Sequence, residues 1–113
     1  MEEVKQPVRL RLAAQQELEK AIRWYEEQDV ETAKRFADDV IRLLVLIGQM
    51  PQAFALSGHR DVRRAVLKRY PYLIYYVERL GQVEVLTIVD GRRNPSAITR
   101  RVNQELRKPT DPA

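Results

Sequence analysis

A chain of 113 residues, 44% hydrophobic and 32% charged, holds one core of ordinary size, which excludes a multidomain enzyme. The 20 Lys and Arg residues against 16 Asp and Glu leave a formal charge of +4, which permits a nucleic-acid or acidic protein partner without requiring either. The absence of cysteine rules out disulfides, thiolate metal sites and cysteine nucleophiles, and makes a reducing, cytoplasmic compartment the expected setting.

Residues 1–7, Met1-Glu2-Glu3-Val4-Lys5-Gln6-Pro7, are polar and lack the apolar stretch of an export signal, so a flexible N-terminus is expected. Val8, Leu10 and Leu12 then alternate with Arg9, Arg11 and Ala13, the period of a strand with one buried face. From Ala14 the period changes: Ala14, Leu18, Ala21, Ile22 and Tyr25 recur every three or four residues, which predicts an amphipathic helix. Asp29 is placed to cap a second helix, whose apolar stripe runs from Ala33 through Phe36, Val40 and Leu44 to Ile47 before Gly48 and Pro51 stop it. The two helices read as an antiparallel hairpin.

Residues 51–61 have neither period and contain Pro and Gly, so they form a connecting loop that holds His59, the lone histidine. Strands follow at about 62–69, 72–79 and 82–90, with Gly81-Gln82 at the tight turn between the last two. The longest apolar run, Leu43 to Gly48, is far shorter than the roughly 20 residues that span a bilayer, so no membrane segment is expected. Beyond Pro95, weak periodicity in Ala97, Ile98, Val102 and Leu106 predicts a short C-terminal helix and tail over residues 99–113. The predicted fold is α+β, with element order β-α-α-β-β-β and the helix hairpin packed on one face of a small antiparallel sheet. The opposite face, apolar in Leu73, Tyr75 and Val77, is left partly open and calls for a second cover.

The sequence Val89-Asp90-Gly91-Arg92-Arg93-Asn94-Pro95 places a paired guanidinium where a strand ends, on a rigid element suited to gripping an anion or an acidic partner. Together with Ala21-Ile22-Arg23-Trp24-Tyr25, the run Tyr70-Pro71-Tyr72-Leu73-Ile74-Tyr75-Tyr76 and the order of elements, it resembles the RelE/ParE toxin superfamily over roughly residues 8–98. The resemblance implies a toxin of a type II toxin–antitoxin pair, bound by an antitoxin whose acidic, apolar C-terminal segment folds onto it. Trp24, Tyr25, Tyr72, Ile74 and Tyr76 are the expected antitoxin contacts. No metal or cofactor is implied.

The superfamily contains two mechanisms. One branch cuts mRNA on the ribosome and needs a proton acceptor, a proton donor and cations over the phosphate, roles for which Arg64, Lys68, Arg93 and Tyr76 are the candidates. The other branch inhibits DNA gyrase, and the Gly91-Arg92-Arg93-Asn94-Pro95 turn resembles that branch more closely. No tyrosine or histidine follows Pro95 where the nuclease branch often places one. The leading expectation is therefore a ParE-like gyrase inhibitor that is not itself an enzyme, with Arg92, Arg93, Asn94 and Pro95 as target contacts. The alternatives are a ribosome-dependent ribonuclease and a degenerate, non-toxic antitoxin-binding module, the latter suggested by Asp90 where histidine is common and Ile98 where an aromatic is common.

Overall fold

The computed structural model of the protein describes residues 5–109, so the expectations for the chain ends fall partly on residues 1–4 and 110–113, outside the described residues. Within 5–109 the chain forms β1 (Val8–Leu10), α1 (Leu12–Gln28), α2 (Val30–Gln49), a 3₁₀ turn (Pro51–Ala53), β2 (Arg63–Val66), β3 (Tyr72–Arg79), β4 (Gln82–Asp90) and α3 (Pro95–Arg107). Gln6 and Pro7, in the segment expected to be flexible, are tied down. Gln6 N donates to Gly48 O at 2.9 Å, and Pro7 O accepts from Val83 N at 2.8 Å.

The sheet order is β1-β4-β3-β2. β2, β3 and β4 form the expected antiparallel meander, but β1 runs parallel to β4, so the sheet is mixed rather than antiparallel. The reason is topological: the helix hairpin carries the chain away from β1, and the meander's last strand returns alongside it in the same direction.

The expected alternation over residues 8–13 ends early. β1 stops at Leu10 and the helix begins at Leu12, so Leu12 is exposed while Arg11 turns inward and is only 1% exposed. Asp29 caps α2 as its residue type predicts, its Oδ2 accepting from Thr32 N at 3.1 Å. Gly48 does not stop that helix. It lies one residue inside the end, where a Cβ would sit 2.9 Å from Gln6 O and Val8 Cγ2, so its role is to let the N-terminal segment pass close to α2. The hairpin turn is Leu80-Gly81 rather than Gly81-Gln82. Both residues have positive φ, 53° and 75°, matching the turn whose twist fits paired strands.

The helix hairpin covers one sheet face, where Ala14, Ala21, Phe36, Val40 and Ile47 pack on Ala65, Ile74, Tyr76, Val83, Val85 and Ile88. The other face was expected to be partly open, and α3 closes much of it. Ile98 and Val102 pack there against Val62, Tyr75, Val77, Leu86 and Val89. A bulge makes this two-faced burial possible: Tyr75 pairs with Thr87 but Tyr76 with Val85, leaving Leu86 as the extra residue. Val83, Val85 and Ile88 therefore face the hairpin, while Leu86 and Val89 face α3.

α3 is also joined to the rest of the protein by charge. Arg11 Nε donates to Glu84 Oε1 at 3.2 Å, and its Nη1 donates to the Glu105 carbonyl at 2.8 Å. Lys108 Nζ lies 2.8 Å from Glu105 Oε2. On the free stretch of the β4 edge, Glu17 accepts from Thr87 Oγ1 at 2.7 Å and from Ile88 N at 3.3 Å, and receives Arg101 Nε at 3.3 Å. A carboxylate from α1 thus caps the stretch of β4 edge that no strand pairs with and binds α3 to it.

Candidate functional site

The Asp90–Pro95 turn is held from both ends. Asp90 Oδ1 accepts from Arg92 N at 2.9 Å, and its two carboxylate oxygens receive Arg92 Nε and Nη2 at 3.1 and 2.8 Å. This bidentate pair holds the Asp90 carboxyl below the usual aspartate range, chiefly through the hydrogen bond from Arg92. Asn94 Oδ1 accepts from Ser96 N at 2.8 Å, and Pro95 occupies the first turn of α3. Asn94 and Pro95 are therefore a helix start, a structural role that fits both residue types. Arg93 remains. It is exposed, and its guanidinium makes no ion pair or side-chain hydrogen bond among the described residues.

Beside this turn lies a hollow of about 290 Å³, lined by Glu17, Lys20, Ala21 and Trp24 of α1, Tyr72 of β3, and Ile88, Val89, Asp90, Arg92 and Arg93. Glu17, Lys20, Ala21 and Trp24 follow the i, i+3, i+4, i+7 spacing of a single helix face. Trp24 is 51% exposed, and its ring meets Tyr25 edge-on with centroids 5.0 Å apart, which leaves indole surface open to the hollow. The two acidic residues of the wall are already engaged, Glu17 with Arg101 and Asp90 with Arg92. Lys20 and Arg93 give the hollow a positive surplus. Arg92 also borders a shallower hollow lined by Lys68, Arg69, Tyr70, Pro71 and Leu73, so cationic side chains run along one end of the sheet.

The candidate ribonuclease residues are not brought together. Tyr76 is fully buried under the helix hairpin, where its hydroxyl donates to Pro51 O at 2.6 Å and burial pushes its pKa up to about 12. Arg64 pairs with Tyr75 rather than Tyr76, so it projects from the opposite face. Lys68 lies beyond the end of β2, and Arg93 lies across the sheet end on the turn after β4. His59 has its ring 6.4 Å from that of Tyr75. No group of three or more His, Cys, Asp or Glu side chains among the described residues is placed to hold a metal ion.

The expected antitoxin contacts also divide. Ile74 and Tyr76 are completely buried and Tyr25 is 8% exposed, because the helix hairpin already covers their face of the sheet. Trp24 and Tyr72 line the cationic hollow instead. Exposed apolar surface is found elsewhere: Ile41, Val45 and Leu46 on α2, Met50 just past its end, Val66 in β2, and Leu56 in the segment bridged to that strand. A groove of about 410 Å³ between α2 and β2 is lined by Leu43, Leu46, Val66 and Leu67 and rimmed by Asp39, Arg42, Lys68 and Arg69.

The family described as "ParE toxin of type II toxin-antitoxin system, parDE" matches residues 8–95. The chain belongs to the ParE toxin family. A solved structure titled "Chromosomal ParDE TA system from P. aeruginosa" shares its fold, with a TM-score of 0.69 at 18% identity over 76% of this chain and 96% of that one. No curated protein gives a significant match. Within this ParE-family chain, the residue-type reading had selected Trp24, Tyr72, Arg92 and Arg93, which one hollow unites. It passed over Lys20 and Glu17, although both lie on the same helix row as Trp24. Arg11 was also missed, since an arginine between two leucines reads as the solvent side of a strand.

Proposed function

We propose that the protein is a ParE-type toxin that inhibits DNA gyrase through the Asp90–Pro95 turn and is neutralised by an antitoxin docked over α2 and β2. The observation that carries the target site is Arg93: a side chain without an ion pair among the described residues, on a turn fixed by the Asp90–Arg92 pair and the Asn94 cap. A cation held on a rigid turn binds an acidic or anionic target with little ordering cost. The separation of Tyr76 from Arg64 and Arg93 favours this non-enzymatic reading over the ribonuclease one. A cytoplasmic location follows from the proposed target.

The antitoxin surface rests on the apolar stripe of α2 and the edge of β2. Residues 55–57 already pair with the outer edge of β2 up to Arg64, so an extended peptide there would lay apolar side chains into the groove and meet the strand only beyond Arg64, with acidic residues opposite Arg42, Lys68 and Arg69. Trp24 and Tyr72, the exposed members of the expected antitoxin set, belong in this reading to the target side.

The test is supercoiling of relaxed plasmid by purified gyrase with increasing amounts of the protein, on gels that also reveal cleaved DNA. Inhibition or trapped breaks are expected, with at least a tenfold loss for the Arg92→Ala/Arg93→Ala variant and a melting temperature lowered by no more than a few degrees, since losing the largely exposed Arg92–Asp90 pair costs at most about 1 kcal/mol. Growth arrest with intact gyrase activity and cleaved mRNA would replace this reading with the ribonuclease one. A folded protein that is harmless without an antitoxin would leave only the binding module.

A further inference from the structure

We propose that the hollow between α1 and the end of β4 binds an unpaired nucleotide of a single-stranded nucleic acid, with Trp24 as the stacking platform and Lys20 and Arg93 as phosphate contacts. The proposal deepens the reading of the Asp90–Pro95 turn as the working surface and rests on it. Three observations converge. An indole that is 51% exposed is costly to leave in water, and here it forms one wall of a hollow at the low end of small-ligand sizes. The acidic groups of that wall are already neutralised by Arg92 and Arg101, so the surplus charge from Lys20 and Arg93 selects an anion. Past Arg92, which is paired with Asp90, a second hollow is lined by Lys68 and by Arg69, itself paired with Asp39, so Lys68 offers a further cation for a neighbouring phosphate.

An aromatic face flanked by cations, with more cations leading away, is the arrangement by which proteins hold single strands without reading sequence. A duplex would not fit, because its bases are stacked internally and cannot reach an indole set in a concavity. An acidic peptide would satisfy Lys20 and Arg93 but would leave the indole face without a planar partner. The shared chemistry is a base attached to a phosphate, so DNA and RNA strands are both tested.

Trp24 is the only tryptophan, so its fluorescence reports directly on the hollow. The intact protein is titrated at low salt with oligothymidylate, oligouridylate, a blunt duplex and polyglutamate, and labelled oligonucleotides are followed in parallel by anisotropy. Saturable quenching by one or both single strands and weaker binding of the duplex are expected. Preference between thymidylate and uridylate identifies the strand chemistry. Trp24→Ala should weaken anisotropy-detected binding by roughly tenfold or more. Lys20→Gln with Arg93→Gln should reduce the salt dependence of log K by about 1.4, near 0.7 per lost phosphate contact. All three positions are exposed, and unchanged circular dichroism and melting show that each variant folds.

Absence of quenching, equal binding by the Lys20→Gln/Arg93→Gln variant, or displacement of the oligonucleotide by equimolar polyglutamate would each overturn the proposal. Gyrase inhibition without strand binding would remove this inference and leave the proposed function standing. Strand binding without gyrase inhibition would do the reverse.

Discussion

Tyr76 illustrates how burial decides what a residue can do. Read in sequence it is one of four tyrosines close together and a candidate proton donor. In the fold its hydroxyl donates to Pro51 O at 2.6 Å and its pKa is pushed up to about 12, so it holds its proton at neutral pH and fastens β3 to the loop after α2. Tyr76→Phe should therefore lower stability by about 1 kcal/mol, the usual worth of a buried hydrogen bond, and leave growth inhibition unchanged. Urea denaturation and a plate toxicity assay measure the two effects. Loss of toxicity from a variant of near-normal stability would restore Tyr76 to the chemistry. Arg92 and Arg93 differ in the same way: adjacent and identical in type, one is committed to Asp90 and the other is open to a partner.

At the scale of elements, α3 changes what the rest of the molecule exposes. Its weak apolar periodicity predicts a marginal extension, yet Ile98 and Val102 close the second face of the sheet. Beneath it Arg11, Glu84 and Glu105 form a cluster in which no side chain is more than 2% exposed. Arg11→Ala takes that cation from two buried carboxylates; leaving a buried charge uncompensated costs about 3–5 kcal/mol, and because Glu105 keeps Lys108 the expected loss lies at the lower end of that range. A fall of that size should be visible as a lower urea midpoint; a change below about 1 kcal/mol would mean that water reaches the cluster and α3 is held by its apolar contacts and the Arg101–Glu17 pair. The helix and strand positions were legible because the apolar period and the Asp29 cap are local signals, whereas Asn94, expected as a target contact, caps α3. The docking of α3 was not, because Arg11 and Glu105 are 94 residues apart and neither carries a local sign of its partner.

For the whole molecule, three carboxylates near the surface contribute to the loss of stability in acid. Asp29, Asp39 and Asp90 are each held below the usual aspartate range, by hydrogen bonds from Thr32, Arg69 and Arg92 respectively. A carboxyl with a depressed folded-state pKa adds stability above its unfolded value, and that stability is lost as pH falls through the folded value. The urea midpoint should therefore be flat with respect to these groups above about pH 5 and decline below about pH 4. Asp39→Asn should make the decline shallower, and an unchanged acid limb would show that the Asp39–Arg69 pair is not formed in solution. The same distribution of charge gathers cations at one end of the sheet, where the proposed target and strand contacts lie, and of these Lys20, Lys68 and Arg93 have no ion pair among the described residues.

The family, the α+β class and the cationic turn were all readable from the chain alone, because apolar period, capping residues and a turn motif are written over a few consecutive positions. The tertiary structure decided three other matters: that β1 joins the sheet in parallel, that α3 rather than a partner covers much of the second face, and that Ile74 and Tyr76 are core. It also decided that Trp24, Lys20 and Arg93 share one hollow. Each of these depends on residues distant in sequence meeting across the sheet, and a local pattern shows which face a side chain takes without showing what will come to cover it.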